Sequence, residues 1–385
     1  MTAVMGRSRL RVLATACVAT AVLGGCKLFS SPDPRTIPAK LVEFKATVTV
    51  KTLWQASAGK SGPFVFTPKV VGDTVYAAGT DGQLVALSAA TGKQLWRIDS
   101  GKKLSGGVGA SGSLVLVGTQ KGELLTYDNL GKASWTAQLG AELLSPATIQ
   151  DNTAVVRSGD GRLVAFNVPD GQRKWVYNHT NPALTLRAHQ GVLIVRGAVF
   201  SGYSGGLVVA LDLESARVGW ESVLSPPRGA TELERIADVS GLPVIDGTQV
   251  CAVAYQGRVG CLEATTGKQL WARDASSSAG VAVDDKNVYI ADENGNVMAL
   301  DKHSGSSVWK QDQLANRKLG TPIVSGASVL VGDGFGYIHA FSTDTGAFVG
   351  RLATDGSALT APPQRAGDTV LFQTRNGSIY AVQVN

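Results

Sequence analysis

The 385-residue chain has little of what builds metal, redox or nucleotide chemistry. It contains four His, four Cys and three Met, and its histidines show no spacing typical of a metal site. It has no adjacent pair of cysteines and no cluster of five or more basic residues. Its glycine-rich stretches have the composition of turns, and we interpret none of them as a phosphate loop or a serine nucleophile motif. These features argue against catalytic residues, a metal site, a cofactor and a nucleic-acid partner.

The chain also lacks an apolar run long enough to span a membrane. The stretch Val12–Leu23 has about a dozen residues, whereas a spanning helix needs about 20. It follows three arginines and precedes Leu23-Gly24-Gly25-Cys26, which resembles a bacterial lipobox. We therefore predict a lipoprotein signal peptide over residues 1–25 and lipidation of Cys26. The rival Cys17 leaves too few residues after the arginines for an apolar region.

The residues after the lipobox predict where the anchor is sorted. Lys27 stands where lipoproteins retained in the inner membrane usually have Asp, so we expect the periplasmic face of the outer membrane. Residues 26–47 contain three prolines and indicate a tether, which would span roughly 25 Å on average. Removal of the signal peptide takes away three Arg and no acid, which lowers the formal net charge from +6 to +3. We expect contact with the membrane through the lipid anchor only.

Glycine is abundant, with 46 residues, and a glycine-led hexad recurs eight times at a period of about forty. One example is Gly82-Gln83-Leu84-Val85-Ala86-Leu87. A β-rich run precedes each hexad, and a second glycine turn follows it, usually with a Trp. Each unit therefore indicates four short strands joined by glycine turns, which is typical of a propeller blade. The hexads begin at Gly82, Gly122, Gly161, Gly206, Gly257, Gly295, Gly336 and Gly377.

All seven Trp lie in the same register of this repeat. The seventh unit has Gly350 instead of an indole, so we expect its interface with the next blade to be the weakest. The last unit ends at Asn385 after its third strand, and Thr52–Gln55 around Trp54 can supply the missing outer strand. The sequence thus predicts an all-β, eight-bladed β-propeller of four-stranded antiparallel blades over residues 48–385, with the ring closed by an N-terminal strand.

Cys251 and Cys261 form a possible disulfide. They flank Tyr255-Gln256-Gly257, and a three-residue loop with Gly257 in the left-handed conformation would place the two cysteines face to face. The oxidising periplasm would then join them. A register shifted by one residue would leave two buried thiols on opposite faces, and both alternatives stay open.

The repeats resemble those of the quinoprotein (PQQ) dehydrogenases and their non-catalytic relatives over residues 48–385. With the lipobox, residues 183–187 and 231–239 are similar specifically to the BamB family of lipoprotein subunits of the outer-membrane β-barrel assembly (Bam) machinery. The resemblance implies a non-catalytic scaffold that aids the folding and insertion of outer-membrane proteins. It implies BamA and the Bam complex as partners, and unfolded outer-membrane proteins as possible clients.

The resemblance also implies which residues bind BamA. Leu184, Leu186 and Arg187 match the apolar-x-apolar-Arg motif of that family, and Asp238 matches the first acid of an Asp-x-Asp pair. Ser240 stands where the second acid is expected, which is a departure from the family pattern.

The same segments interrupt the repeat. The hexads at Gly206 and Gly257 are 51 residues apart, which is the longest spacing in the chain, and insertions in repeat proteins often carry binding sites. The plainer alternative makes Leu184 and Leu186 core residues of an inner strand, with Arg187 at its solvated end.

Two other functions remain as alternatives. A PQQ-dependent dehydrogenase would need a Ca²⁺ site of carboxylates and carbonyls and an Asp base, and the repeats carry no acid cluster at matching places. A periplasmic ligand- or glycan-binding propeller would favour exposed aromatic residues. The chain is only 6% aromatic, and its Trp are committed to blade docking.

Overall fold

The structure is a computed structural model that describes residues 36–187 and 191–385. The predicted signal peptide, Cys26 and the first part of the predicted tether lie outside these residues. The compact body runs from Ala39 to Asn385, so it begins before residue 48, where the repeat places its start. Of the helices in the described part of the chain, none is long and apolar enough to cross a bilayer.

Eight sheets form the eight predicted blades, which confirms the propeller. Seven have four antiparallel strands, and the sheet of blade 2 has a fifth strand that runs parallel to its neighbour. Blades 1 to 7 each use four consecutive strands. The first strands of neighbouring blades contact one another, so they lie nearest the axis of the ring. Two strands precede blade 1, namely β1 (Val50–Ser57) and β2 (Val65–Phe66).

The strands of blades 1 to 4 alternate with short turns. Blade 1 comprises β3 (Lys69–Val71), β4 (Thr74–Ala78), β5 (Gln83–Ser88) and β6 (Gln94–Asp99), and blade 2 comprises β7 (Leu104–Ala110), β8 (Leu114–Thr119), β9 (Glu123–Asp128) and β10 (Ala133–Gln138). Blade 3 comprises β11 (Thr148–Gln150), β12 (Thr153–Arg157), β13 (Leu163–Asn167) and β14 (Arg173–Tyr177), and blade 4 comprises β15 (Leu193–Val195), β16 (Ala198–Gly202), β17 (Leu207–Asp212) and β18 (Val218–Val223).

Blades 5 to 8 repeat the pattern. Blade 5 comprises β19 (Val244–Asp246), β20 (Gln249–Val253), β21 (Gly257–Glu263) and β22 (Gln269–Ala275), and blade 6 comprises β23 (Val281–Val283), β24 (Asn287–Ala291), β25 (Val297–Asp301) and β26 (Ser307–Gln311). Blade 7 comprises β27 (Ile323–Ser325), β28 (Ser328–Gly332), β29 (Tyr337–Ser342) and β30 (Phe348–Ala353), and blade 8 comprises β31 (Gln364–Ala366), β32 (Thr369–Gln373) and β33 (Ser378–Val384) together with β1.

The indoles dock each blade onto the next, as their register predicts. Trp54 packs over Gly92 of blade 1, where an added Cβ would lie 2.5 Å from the ring, so this turn requires glycine both for space and for its φ of +69°. The Trp54 indole N–H donates to the Ala89 carbonyl at 2.9 Å. The other six indoles, at Trp96, Trp135, Trp175, Trp220, Trp271 and Trp309, make the same bond to the next blade at 2.8–2.9 Å.

The N-terminal strand closes the ring as predicted. Strand β1 pairs antiparallel with β33 from Val50↔Val384 to Ser57↔Ser378, so it forms the outer edge of blade 8. Beyond it, Thr49 and Asn385 exchange both main-chain hydrogen bonds, at 2.9 and 3.0 Å. Strands β1 and β33 therefore meet in blade 8, where a turn joins the third and fourth strands in every other blade.

This seam explains the absence of an eighth Trp. An indole on blade 7 would dock onto that turn of blade 8, which does not exist. Residues 39–49, called here the strap, lie along β30 instead, and an added Cβ at Gly350 would lie 2.6 Å from Val50 and 3.1 Å from Val48. Our expectation of a weak interface between blades 7 and 8 assumed that the place of the indole is empty. In the structure, Val48 and Val50 occupy this place.

A buried group of charges lies beneath the strap. Asp333 and His339 are both 0% exposed. Asp333 Oδ2 accepts from Arg317 Nε at 2.6 Å and lies 3.0 Å from His339 Nε2. Burial alone would raise the pKa of Asp333, but the His339 hydrogen bond and main-chain N–H donors lower it below its ordinary value.

The two arginines of this group hold the strap. Arg317 Nη1 donates to the Ala39 carbonyl and Arg351 Nη1 to the Val42 carbonyl, both at 3.0 Å. The Arg351 guanidinium also lies 4.9 Å from the Phe44 ring centroid, and Phe44 stacks on Phe348 at 5.3 Å. The later part of the predicted tether is thus fixed to the propeller.

Candidate functional site

The two segments that interrupt the repeat lie on the same face of the ring. Because neighbouring strands are antiparallel, the connections between blades share a face with the turns between second and third strands. We call this the linker face. Residues 178–192 join blades 3 and 4 and residues 224–243 join blades 4 and 5, and these are the two longest connections.

Asp238 ties these two connections together. Its Oδ2 accepts a hydrogen bond from the Leu186 N–H at 2.6 Å, and its Oδ1 lies 3.4 Å from the Gly205 N–H. Its own carbonyl accepts from the Tyr255 N–H at 2.8 Å. With 1% of its surface exposed, Asp238 is a brace inside the face rather than a group on it.

Ser240 is also buried, with 4% exposure, and its hydroxyl lies 3.5 Å from the Ser277 carbonyl. The position at which an acid was expected thus lies beneath the surface, next to blade 6.

Leu184, Leu186 and Arg187 follow β14, which ends at Tyr177, and the described residues 178–187 form no strand. The alternative that they are core residues of an inner strand is therefore wrong. Leu184 is 43% exposed, and Leu186 is half-buried.

Arg187 is held in place at the surface. Its Nη2 lies 2.6 Å from Glu142 Oε2, and its guanidinium lies 5.2 Å from the Phe64 ring centroid. The arginine side chain is 56% exposed and Glu142 25%, so the pair is solvent-screened and sets geometry more than stability. Phe64 precedes β2, a fifth strand that pairs with β7 at the inner edge of blade 2.

A cavity of about 230 Å³ opens beside these residues. Both of its charged lining side chains are arginines, Arg157 and Arg187. The remaining lining residues are Leu144, Ser145, Ser158, Gly159, Asn181, Thr185, Leu186 and Ser204.

Arg157 is the residue that sequence reasoning missed. It ends β12 and is only 6% exposed. Its Nη1 donates to Ser201 Oγ at 3.0 Å and to the Gly202 carbonyl, and its guanidinium lies 4.2 Å from the Tyr203 ring centroid. Burial lowers the pKa of Arg157, while Tyr203 and Asp238 oppose that shift.

Cys251 and Cys261 are directly opposite each other on β20 and β21, and a disulfide joins them, with their Cα atoms 4.0 Å apart. The register is the one that the three-residue loop requires. The residue with positive φ is Gln256, at +47°, so our assignment of the left-handed conformation to Gly257 is wrong.

Eight blades, seven of them docked on the next by an indole, define a propeller of the PQQ-like repeat class. A family model described as outer membrane protein assembly factor BamB matches residues 14–101 and 80–311. This chain belongs to the BamB family.

Individual relatives agree with this assignment. Outer membrane protein assembly factor BamB of Bordetella pertussis is 40% identical over 364 residues, covering 94% of each chain. BamB of Nitrosomonas eutropha is 42% identical over 378 residues, covering 97% of this chain and 92% of its own. The crystal structure of BamB from Moraxella catarrhalis has a TM-score of 0.80 at 23% identity, covering 87% of this chain and 100% of its own.

A quinohemoprotein alcohol dehydrogenase from Comamonas testosteroni shares the fold alone. Its TM-score is 0.70 at 14% identity, covering 86% of this chain and 76% of its own. Within residues 36–187 and 191–385, no three His, Cys, Asp or Glu side chains come together in a way that could hold a metal ion.

Proposed function

We propose that this protein is a lipoprotein scaffold in the assembly of outer-membrane β-barrel proteins, and that it binds BamA through the linker face. Membership of the BamB family supports the role in assembly. The observation that carries the binding site is the 2.6 Å hydrogen bond from Leu186 to Asp238, which joins the two family segments into one surface.

The two family segments have different roles in this proposal. Leu184 and Arg187 are exposed and supply the contact, with an apolar side chain next to a cation, a combination common at the centres of interfaces. Asp238 and Ser240 are buried and support the loop from beneath. Ser240 does not reach the surface. On this proposal, its replacement of the second acid therefore removes no direct contact with the partner.

Anchoring completes the proposal. Lipidation of Cys26 would hold the chain at the periplasmic face of the outer membrane, and the scaffold would act without catalysing a reaction. Ala39, the first residue of the compact body, hydrogen-bonds to Ala315 in the connection between blades 6 and 7. The strap therefore begins on the linker face.

Arg187→Glu tests the docking surface. The substitution replaces the cation and sets two carboxylates, residue 187 and Glu142, against each other. We expect the affinity for the periplasmic domains of BamA to fall by about 2 kcal/mol or more. The measurement is calorimetric titration of the mature lipoprotein in detergent, with thermal unfolding of both proteins.

Arg173→Glu is the matched control. Arg173 is exposed at the start of β14, on the opposite face of blade 3, so this charge reversal should leave the affinity unchanged. Equal binding by Arg187→Glu and wild type would contradict the assigned surface. No binding by wild type would contradict the scaffold function and direct attention to glycans and other periplasmic ligands.

A further inference from the structure

The cavity beside Leu186 contains a cation that the protein leaves partly unpaired. Among the described residues, no carboxylate lies within ion-pair distance of Arg157, and only its Nη1 has hydrogen-bond acceptors. Asp238, the nearby acid, uses its two oxygens on the main-chain N–H groups of Leu186 and Gly205. Nε and Nη2 of Arg157 are thus free to donate, and Arg157 lines the cavity.

The other lining groups add hydrogen-bonding capacity. Ser145 and Ser204 line the same cavity, and their hydroxyls can donate to an anion. The Ser158 hydroxyl also lines it but donates to Asp160 Oδ1. No carboxylate lines the cavity. A buried cation with free donors and hydroxyls around it is a site for a carboxylate, because a guanidinium binds one with two parallel hydrogen bonds.

We propose that this cavity binds the carboxylate of one Asp or Glu side chain carried by the protein that docks on the linker face. The proposal rests on the function proposed above and names the chemistry of the partner at that site.

The position of the cavity favours a side chain of a docked protein. Thr185, Leu186 and Arg187 form part of its wall, so a protein seated on this loop covers the cavity. Leu184 is exposed next to it and can bury apolar surface around the ion pair. An acid from the partner neutralises Arg157 where water is excluded, and such pairs contribute most to specificity and to slow dissociation.

The first experiment compares Arg157→Met with wild type in calorimetric titrations against the periplasmic domains of BamA. We expect the affinity to fall roughly 10-fold or more, while Arg157→Lys retains part of it. Arg173→Met, on the opposite face, is the control and should bind as wild type does. Thermal unfolding of each variant shows whether the fold is kept.

A second variant leaves Arg157 intact. Thr185→Trp places a large side chain at the exposed wall of the cavity, and we expect the same loss of affinity without loss of the fold. Neutral substitutions of each Asp and Glu of the partner domains should then reveal one that weakens wild type but has no further effect on Arg157→Met.

The outcomes separate the two proposals. If Arg187→Glu abolishes binding while Arg157→Met and Thr185→Trp bind as wild type does, the cavity proposal is wrong and the scaffold function stands. If wild type does not bind BamA, both fall. Titration with sodium acetate against sodium chloride at equal ionic strength tests a free anion. Arg157-dependent acetate binding without a coupled partner acid would overturn the side-chain assignment.

Discussion

Asp238 shows how a side chain can fix the conformation of a surface loop without lying on the surface. The residue is 1% exposed, yet it fixes the Leu186 N–H 52 positions earlier in the chain. A carboxylate suits this role because both of its oxygens accept, so it can hold two main-chain N–H groups at once. The family motif identified Asp238, and only the structure shows that it acts from beneath.

Asp238→Asn tests this brace. An amide offers one acceptor oxygen, so one of the N–H groups of Leu186 and Gly205 loses its partner, which we expect to cost about 1–3 kcal/mol of stability. Hydrogen exchange of the Leu186 amide should become faster, and BamA affinity should fall. Asp274→Asn, at a 77% exposed carboxylate, is the control. Unchanged exchange at Leu186 would show that the loop does not depend on the brace.

His339 makes the stability depend on pH. Arg351 Nε donates to His339 Nδ1 at 3.3 Å, so the ring is neutral with its hydrogen on Nε2, facing Asp333. Burial lowers the pKa of His339 below the ordinary 6.5 and outweighs the opposing effect of Asp333. The unfolded chain therefore binds a proton more readily, and the free energy of unfolding falls as the pH drops below 6.5.

Urea unfolding between about pH 7.5 and pH 5 measures this effect. His339→Gln should reduce the slope of stability against pH in that range, whereas His303→Gln, on an exposed turn, should not. The pKa of His179 is also lowered by burial, so part of the slope remains in the first variant. An unreduced slope in His339→Gln would contradict the role of this ring.

Arg157 could have been found from the repeat. It stands four residues before the hexad glycine, where the other blades have a small, apolar or amide residue. The comparable residues are Ala78, Gly118, Gly202, Val253, Ala291, Gly332 and Gln373. A charge at a position that the fold buries is a signal of function, and alignment of this chain's own repeats contains it. The hydrogen-bond partners of Arg157 could not be predicted, because they belong to the next blade.

At the scale of the element, the hairpin of β20 and β21 shows what sequence spacing determines. The pairing of Cys251 with Cys261 follows from loop length and side-chain alternation, and both were available from the sequence. The sequence does not show which residue adopts the left-handed conformation, because Gln256 and Gly257 are both candidates and local packing decides between them. An added Cβ at Gly257 would lie 2.2 Å from Ser225 Oγ, so glycine is needed there for space instead.

The disulfide gives an element-scale prediction. It closes a loop with a sequence separation of 10, for which the loss of chain entropy corresponds to roughly 2–3 kcal/mol. Cys251→Ala/Cys261→Ala should lower the unfolding free energy by up to that amount and leave BamA affinity unchanged. Because both cysteines are 0% exposed, the test is alkylation of the denatured protein without reductant, after which mass spectrometry should find neither residue modified. Free alkylation of either one would contradict the bond.

At the scale of the whole molecule, the ring was predictable and the strap was not. The forty-residue repeat and the Trp register determine the blade number, the blade order and the closing strand, because each recurs in every unit. Residues 39–49 belong to no repeat, and they contact blade 7 about 300 positions away in the chain. A proline-containing segment next to a predicted anchor therefore indicated a tether, although its residues 39–47 pack against the body.

Phe44→Ala tests the contribution of the strap. It removes the ring that stacks on Phe348 and receives the Arg351 cation, and we expect a loss of about 1–3 kcal/mol because Phe44 is half-buried. Lys45→Ala changes the neighbouring exposed side chain and should have little effect. Chemical unfolding of the two variants makes the comparison, and equal stability would show that the strap is only a tether.

The strap also decides how the ring responds to mechanical force. A pull on the chain upstream of Ala39 acts first on the bonds of Ala39 to Ala315 and Arg317, and then on that of Val42 to Arg351. The force acts on these hydrogen bonds one after another. It acts on β1 only after the strap has detached. Tension applied upstream of Ala39 would therefore detach the strap before it opens the propeller.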